Sequence, residues 1–290
     1  MENKKILLGI SLIILGELLL LLVGMIIKTL TADDVPTEQM VFLRSIISLA
    51  LLVPWLVRKG ISRIYTQRIG LHIARGVLGV TAMMCVFYAW GNLPLAQASL
   101  LKQTSPIFIT IIAFLWLKES LGNKTILAII SGFIGVALII DPGAENAHFN
   151  VVIFIALAGA MLAGSAKVVV RKMSTTETPG RIVFYFSLIG TLVSFVPAIL
   201  VWVSLSWIQL AAILGIAMLS TTAQFAITKA FSYAPAGQIG FYTYTSVAFA
   251  ALFGWLIWNE VLSWQTILGI LVIVGAGVLA ALDRNRPAKP

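Results

Sequence analysis

Long apolar stretches alternate with short polar connectors along this chain. Ten such stretches cover 6–27, 38–57, 70–90, 94–116, 124–141, 150–170, 180–203, 207–229, 236–258 and 264–282. A helix rises about 1.5 Å per residue, so roughly 20 residues cross a hydrocarbon layer ~30 Å thick. The stretches are continuous rather than alternating, which predicts helices and argues against a spanning β-barrel. Turn residues mark the breaks. Gly91-Asn92-Leu93-Pro94 separates the third stretch from the fourth, whereas Ser204-Leu205-Ser206-Trp207 must serve as the whole turn between the seventh and eighth. Pro94 and Pro235 suit the first turn of a helix, where a missing N–H costs nothing. The first stretch is too long for a signal-peptide core and lacks a small-residue cleavage pattern before Lys28, so it reads as the first membrane helix.

Charge sharpens the picture. Only 11% of the 290 residues are charged and 60% are hydrophobic, far from the ~25% charged of soluble domains. The net charge of +9 sits mostly in the connectors, where it serves orientation rather than nucleic-acid binding. Lys4 and Lys5 lead the first stretch, and Asp33, Asp34 and Glu38 follow it without a basic residue. Arg58, Lys59, Arg63 and Arg68 come next, then a neutral turn, then Lys118 and Lys124. Asp141 and Glu145 follow, then Arg171, Lys172 and Arg181, and the tail carries Arg284, Arg286 and Lys289. Positive and non-positive connectors alternate, which predicts an even number of crossings with both termini cytoplasmic, in a bacterial inner membrane.

The chain repeats itself at an offset of 141 residues. Pro94, Gln97, Ser105, Phe108, Leu115, Glu119 and Thr125-Ile126-Leu127 recur as Pro235, Gln238, Ser246, Phe249, Leu256, Glu260 and Thr266-Ile267-Leu268. The expected fold is all-α and transmembrane, ten helices built as two inverted five-helix repeats over 1–144 and 145–290. An odd number of helices per repeat turns the second copy upside down, an architecture common in secondary transporters.

Ionisable groups inside a membrane are functional candidates by default. Glu17 lies mid-way along the first helix, and Lys102 lies in the fourth beside Gln103 and Thr104. Thr243 and Tyr244 hold the matching positions of the ninth helix, with Tyr88, Trp90, Gln238 and Tyr242 nearby. A carboxylate in an apolar cavity can load and release a proton near neutral pH, so Glu17 is either a titrating group or a structural partner of Lys102. Lys102 attracts a substrate anion, couples to Glu17 or forms a structural salt bridge. The tyrosines could stack on an organic or cationic solute, and Trp90 equally fits an interface belt. The candidate substrate or proton site is thus Glu17, Tyr88, Lys102, Gln103, Gln238, Tyr242 and Tyr244. Lys28 and Arg44 read as snorkelling residues, and Arg75 and Lys229 as snorkelling residues or as the lining of an entrance. Glu119 and Glu260, at helix ends, read as structural. Gly132, Gly135, Gly269, Gly275 and Gly277 on the fifth and tenth helices either hold the halves together or form a homodimer contact.

Several classes are excluded. There is one cysteine, Cys85, so no disulfide or cysteine metal site can form within the chain, and His72 and His148 are far apart. No phosphate-binding Gly-x-x-x-x-Gly-Lys, no His-Glu-x-x-His and no Gly-x-Ser-x-Gly is present. No enzyme activity, metal or cofactor is expected. Phe87-Tyr88-Ala89, Leu93-Pro94-Leu95-Ala96-Gln97-Ala98 and Leu115 to Glu119 resemble the EamA-type module of the drug/metabolite transporter superfamily. Ala230 through Pro235-Ala236-Gly237-Gln238 to Trp258-Asn259-Glu260 matches it more loosely. The resemblance implies two inverted five-helix halves around a cavity lined by the first, third, fourth, sixth, eighth and ninth helices. It implies alternating-access movement of small organic solutes, often with proton exchange. A channel-like pore without coupling and a non-transporting scaffold remain the other readings.

Overall fold

The computed structural model describes residues 2–60, 64–117, 123–139, 147–173, 176–233 and 240–284. Among them the chain forms α1 (Glu2–Ala32), α2 (Thr37–Lys59), α3 (Ile69–Asn92), α4 (Leu95–Lys102), α5 (Ser105–Leu117) and α6 (Asn123–Ile139). It continues with α7 (Ala147–Met173), α8 (Pro179–Leu200), α9 (Trp207–Tyr233), a 3₁₀ turn (Gly240–Tyr244), α10 (Thr245–Trp258) and α11 (Trp264–Arg284). Helices α1, α2, α3, α7, α8 and α9 are each long and apolar enough to cross a membrane. The fourth crossing is shared by α4 and α5, and the ninth by the 3₁₀ turn and α10. The chain is an all-α transmembrane bundle of about ten crossings. We call the face where α1 and α3 begin the terminal face.

The expected spans hold in number but two change character. The stretches 94–116 and 236–258 were expected as unbroken helices; both are interrupted. Pro106 lacks the N–H that would close the bond to the Lys102 carbonyl, so α4 stops at Lys102 and α5 starts at Ser105. The second interruption, over Gly240–Tyr244, falls one repeat further along and has no proline. The seventh span ends at Leu200 rather than 203, and Ser206 and Gln209 then cap α9 reciprocally, at 2.9 and 3.3 Å.

Packing follows the two-fold relation of the halves. The first span packs on the eighth (α1 on α9) and its counterpart, the sixth, packs on the third (α7 on α3). The second packs on the seventh, the fourth on the ninth and the fifth on the tenth. Close approach is set by small residues at related places. A Cβ at Gly16 would lie 2.5 Å from Ile227, and one at Gly159 would lie 2.6 Å from Cys85. Such contacts substitute for a hydrophobic drive, because lipid tails are as apolar as Leu. Between α6 and α11, Gly135 faces Ile273 and the Gly269 carbonyl. Gly132, which meets Ala276, and Gly135 therefore pack the fifth helix on the tenth within one chain, whereas Gly275 faces outward.

That interface yields a test. Gly135→Leu must displace Ile273 and meets the Gly269 backbone, so it is expected to destabilise the purified protein by about 1–3 kcal/mol. Gly275→Leu on the outward face of α11, where an added Cβ meets nothing within 4 Å, is expected to leave the melting temperature unchanged. Equal effects of the two would contradict the packing.

Candidate functional site

Interrupting a helix inside a membrane frees backbone carbonyls that lipid cannot bond. Each break here supplies its own partners. Thr104 Oγ1 donates to the Leu101 carbonyl at 2.6 Å, Thr245 Oγ1 to the Tyr242 carbonyl at 2.6 Å, and Ser246 Oγ to the Thr243 carbonyl at 2.9 Å. The two breaks also bond each other. Gln103 Nε2 lies 2.8 Å from the Thr243 carbonyl and 2.9 Å from Ser246 Oγ, and Tyr244 O–H reaches the Gln103 carbonyl at 3.5 Å. Gln103 and Tyr244 hold equivalent places in the two repeats, so the crossing lies on the symmetry axis of the fold.

Glu17 comes to this crossing from α1 and is 4% exposed. Its Oε2 receives Lys102 Nζ at 3.2 Å and Gln103 Nε2 at 3.3 Å. Lys102 in turn lies over the Trp90 ring at 5.6 Å. A cation, its counter-ion, an amide bridge to the other repeat and an aromatic face thus converge mid-membrane. A buried pair of this kind is costly to desolvate and more costly to break from one side.

Of the expected site residues, Glu17, Lys102, Gln103 and Tyr244 are brought together. Tyr242 sits on the 3₁₀ turn and packs against Ile13, one turn before Glu17. Tyr88 packs against the main apolar cluster, to which Trp90 and Tyr244 also belong. Gln238 lies outside the described residues, as does Glu119. Trp90, equally read as a belt residue, is 3% exposed and faces Lys102, so it is an interior group. The snorkelling reading fails for Arg44 and Arg75, which both reach the ring of Phe186 inside the bundle, whereas Lys28 runs toward the end of the bundle and pairs with Glu260 at 2.7 Å. Ser246 and Phe186 were missed altogether. Ser246 was visible only as the repeat partner of Ser105.

Two polar ties join the repeats nearer the ends of the bundle. Away from the terminal face, Asn259 takes a left-handed conformation (φ 53°) that ends α10 and turns Glu260 back. Glu260 then caps α4 by accepting from Leu95 N–H at 2.8 Å, while Lys28 also donates to the Leu93 carbonyl at 2.9 Å. Glu260 therefore has the structural role expected for it. At the terminal face, Glu177 accepts from Thr66 and from Arg181, both at 2.8 Å, with His72 Nε2 3.4 Å away. Burial pushes the Glu177 carboxyl up, but the hydrogen bonds from Arg181 and Thr66, the approach of His72 and the charge of Arg181 outweigh it. The net effect holds the group below its ordinary value.

Comparison with known proteins gives this arrangement a context. The EamA-like transporter family model matches residues 7–141 and 150–282. The pseudopaline exporter of Pseudomonas aeruginosa is 30% identical over 282 residues, 96% of each chain. The riboflavin transporter of Vibrio cholerae is 29% identical over 82% of this chain and 80% of its own. The S-adenosylmethionine uptake transporter of Rickettsia bellii is 26% identical over 82% and 81%. A crystal structure with TM-score 0.64 covers 99% of both chains at 18% identity and shares the fold.

Two measurements test the geometry. Gln103→Leu removes the cross-repeat donor to the Thr243 carbonyl and Ser246 Oγ and one donor to Glu17, and is expected to cost about 1–3 kcal/mol of stability. Tyr244→Phe removes only a 3.5 Å contact and is expected to cost much less; the reverse order would contradict the crossing. Glu177→Gln is expected to lower the melting temperature at neutral pH. Because the folded carboxyl is depressed, its contribution is full above the ordinary carboxylate range and is lost as pH falls through the folded value. The gap between wild type and variant should therefore close on acidification. A gap that widens in acid would contradict this tie.

Proposed function

The chain belongs to the EamA-like transporter family, and from that premise we propose that it is a secondary active transporter working by alternating access with proton coupling. Membership makes it a multi-pass membrane transporter of small molecules. The finer reading is that it carries a small polar or amphipathic organic solute, as relatives named for riboflavin and S-adenosylmethionine do. The alternating basic connectors favour an inner-membrane placement with the terminal face and both termini in the cytoplasm. The two matched segments favour a division into repeats near 144/145.

The observation that carries the proposal is the Glu17–Lys102–Gln103 network at the crossing of the interrupted helices. While Glu17 is ionised it offsets the charge of Lys102. Protonation removes that offset and leaves Lys102 seeking another anionic or electron-rich partner. Proton and solute therefore act on one pair of groups, and coupling requires only that each binds the two access states with different affinity. The polar ties fit the same scheme. Lys28–Glu260 and Glu177 with Thr66 and His72 each join one repeat to the other through contacts that can open, one tie toward each face. Alternating access opens one while the other stays closed. Tyr244 and Tyr242, on the second interruption, flank the solute, and Gln238 enters the same stretch of chain.

Flux in proteoliposomes separates this from a channel-like pore. A solute is first identified by its stabilisation of the purified protein. Its uptake is then expected to follow an imposed pH gradient, and Glu17→Gln should abolish the response to the gradient while solute exchange without a gradient persists. Flux indifferent to the gradient and to Glu17→Gln would favour the uncoupled pore. Absence of flux for every stabilising solute would favour the scaffold.

A further inference from the structure

Arg44 of α2 and Arg75 of α3 meet in the bundle without an acidic partner among the described residues. Arg44 is 3% exposed; its Nε donates to Ser220 Oγ at 3.1 Å and its Cζ lies 5.8 Å from the Phe186 ring centroid. Arg75 Cζ lies 4.3 Å from the same centroid. Among the described residues, buried Arg44 Nη1, Arg75 Nε and Arg75 Nη1 have no hydrogen-bond partner. No described carboxylate forms an ion pair with either guanidinium. The two are close enough to repel each other. The place is built for a guanidinium, because a Cβ at Gly79, one turn beyond Arg75, would overlap Arg75 Nη1 and press on Phe186.

The surrounding charge has the same sign. Lys167 of α7 lies within electrostatic range of Lys102, Glu17 and Arg75. Four cations thus share this region with Glu17, which Lys102 already engages. Buried charges without partners are costly, and each unmade bond to a buried donor adds to that cost. Cation–π contact with one phenyl ring offsets a part of it. A planar oxyanion with two or three acceptor oxygens would meet the guanidinium donors in fork geometry and offset the charge as well.

We propose that Arg44 and Arg75 over Phe186 form an anion subsite of the transport pathway, taking a carboxylate or phosphate group of the solute, with Lys167 drawing the anion toward it. The proposal rests on the transporter reading and narrows its substrate class to organic anions. Glu17 and Lys102 then lie deeper on the same route. An anion arriving at the arginines adds the negative charge this region lacks.

The test is the melting temperature of the purified full chain in detergent. Inorganic phosphate and benzoate serve as probes, against chloride at equal ionic strength and against benzylammonium. Both oxyanions are expected to raise the melting temperature by about 2–5 °C over chloride, and benzylammonium is not. The shift should vanish in Arg44→Gln and Arg75→Gln and persist in Arg58→Gln, whose side chain lies exposed at the end of α2. Should either Gln variant fail to fold, the Lys variant at that position keeps the charge but not the fork, and should show a weakened shift. No shift in wild type, or a shift that survives both arginine substitutions, overturns the proposal. A shift produced by phosphatidylglycerol in the micelle, and not by the soluble probes, would assign the arginines to a lipid headgroup and overturn it too. This readout is binding and not flux. Its failure removes the anion subsite and leaves the transporter reading standing, whereas oxyanion binding without flux of any solute would do the opposite.

Discussion

Every polar group inside a bilayer must find its partner within the protein, and the rest of this structure depends on that constraint. It forces ten long apolar stretches to coil. It also decides what happens where the chain departs from the helix. At the two interruptions the freed carbonyls are met by Thr104, Thr245 and Ser246 on their own segments, and by Gln103 reaching across from the other. The crossing is therefore polar by necessity, and once polar it can hold a charge. Glu17 and Lys102 exploit this, since the same place supplies the amide of Gln103 and the ring of Trp90.

The two-fold relation of the halves accounts for the scaffold, and departures from it mark the chemistry. Gly16 and Gly159 set equivalent helix contacts in opposite orientations. Glu17, next to Gly16, faces the crossing, but the corresponding stretch of α7, from Ala158 to Met161, carries only apolar or small residues. Glu17 thus breaks the symmetry of the junction beside which it sits. Lys102 has Thr243 as its counterpart, and Arg44 and Arg75 have Phe186 between them, contributed by the second repeat. In the proposed mechanism symmetry supplies two related conformations of similar energy, and the asymmetric charges are what proton and solute act on.

Much of the fold was legible because its signals are long. Stretch length, connector charge and the 141-residue offset each average over many residues, and they agree. The site was legible in part. Charge inside an apolar stretch singled out Glu17 and Lys102, and the offset singled out Gln103 and Tyr244. Side-chain direction was not legible, because a helix apolar all round has no polar face to reveal its rotation. For that reason Trp90 fits a belt residue equally well in the sequence, although it is buried in the bundle. Arg44 and Arg75 were judged by their distance from a helix end, which suits snorkelling, whereas their rotation carries them to Phe186. The break after Lys102 had a visible cause in Pro106, overlooked because the apolar stretch runs on past it.

Most directly at stake is whether Glu17 and Lys102 hold each other's charge at the crossing. A double-mutant cycle on stability, with Glu17→Gln, Lys102→Met and the two together, measures this. The account predicts a coupling of at least about 1 kcal/mol, with the double variant more stable than the sum of the single losses implies. Effects that simply add, within about 0.5 kcal/mol, would contradict it.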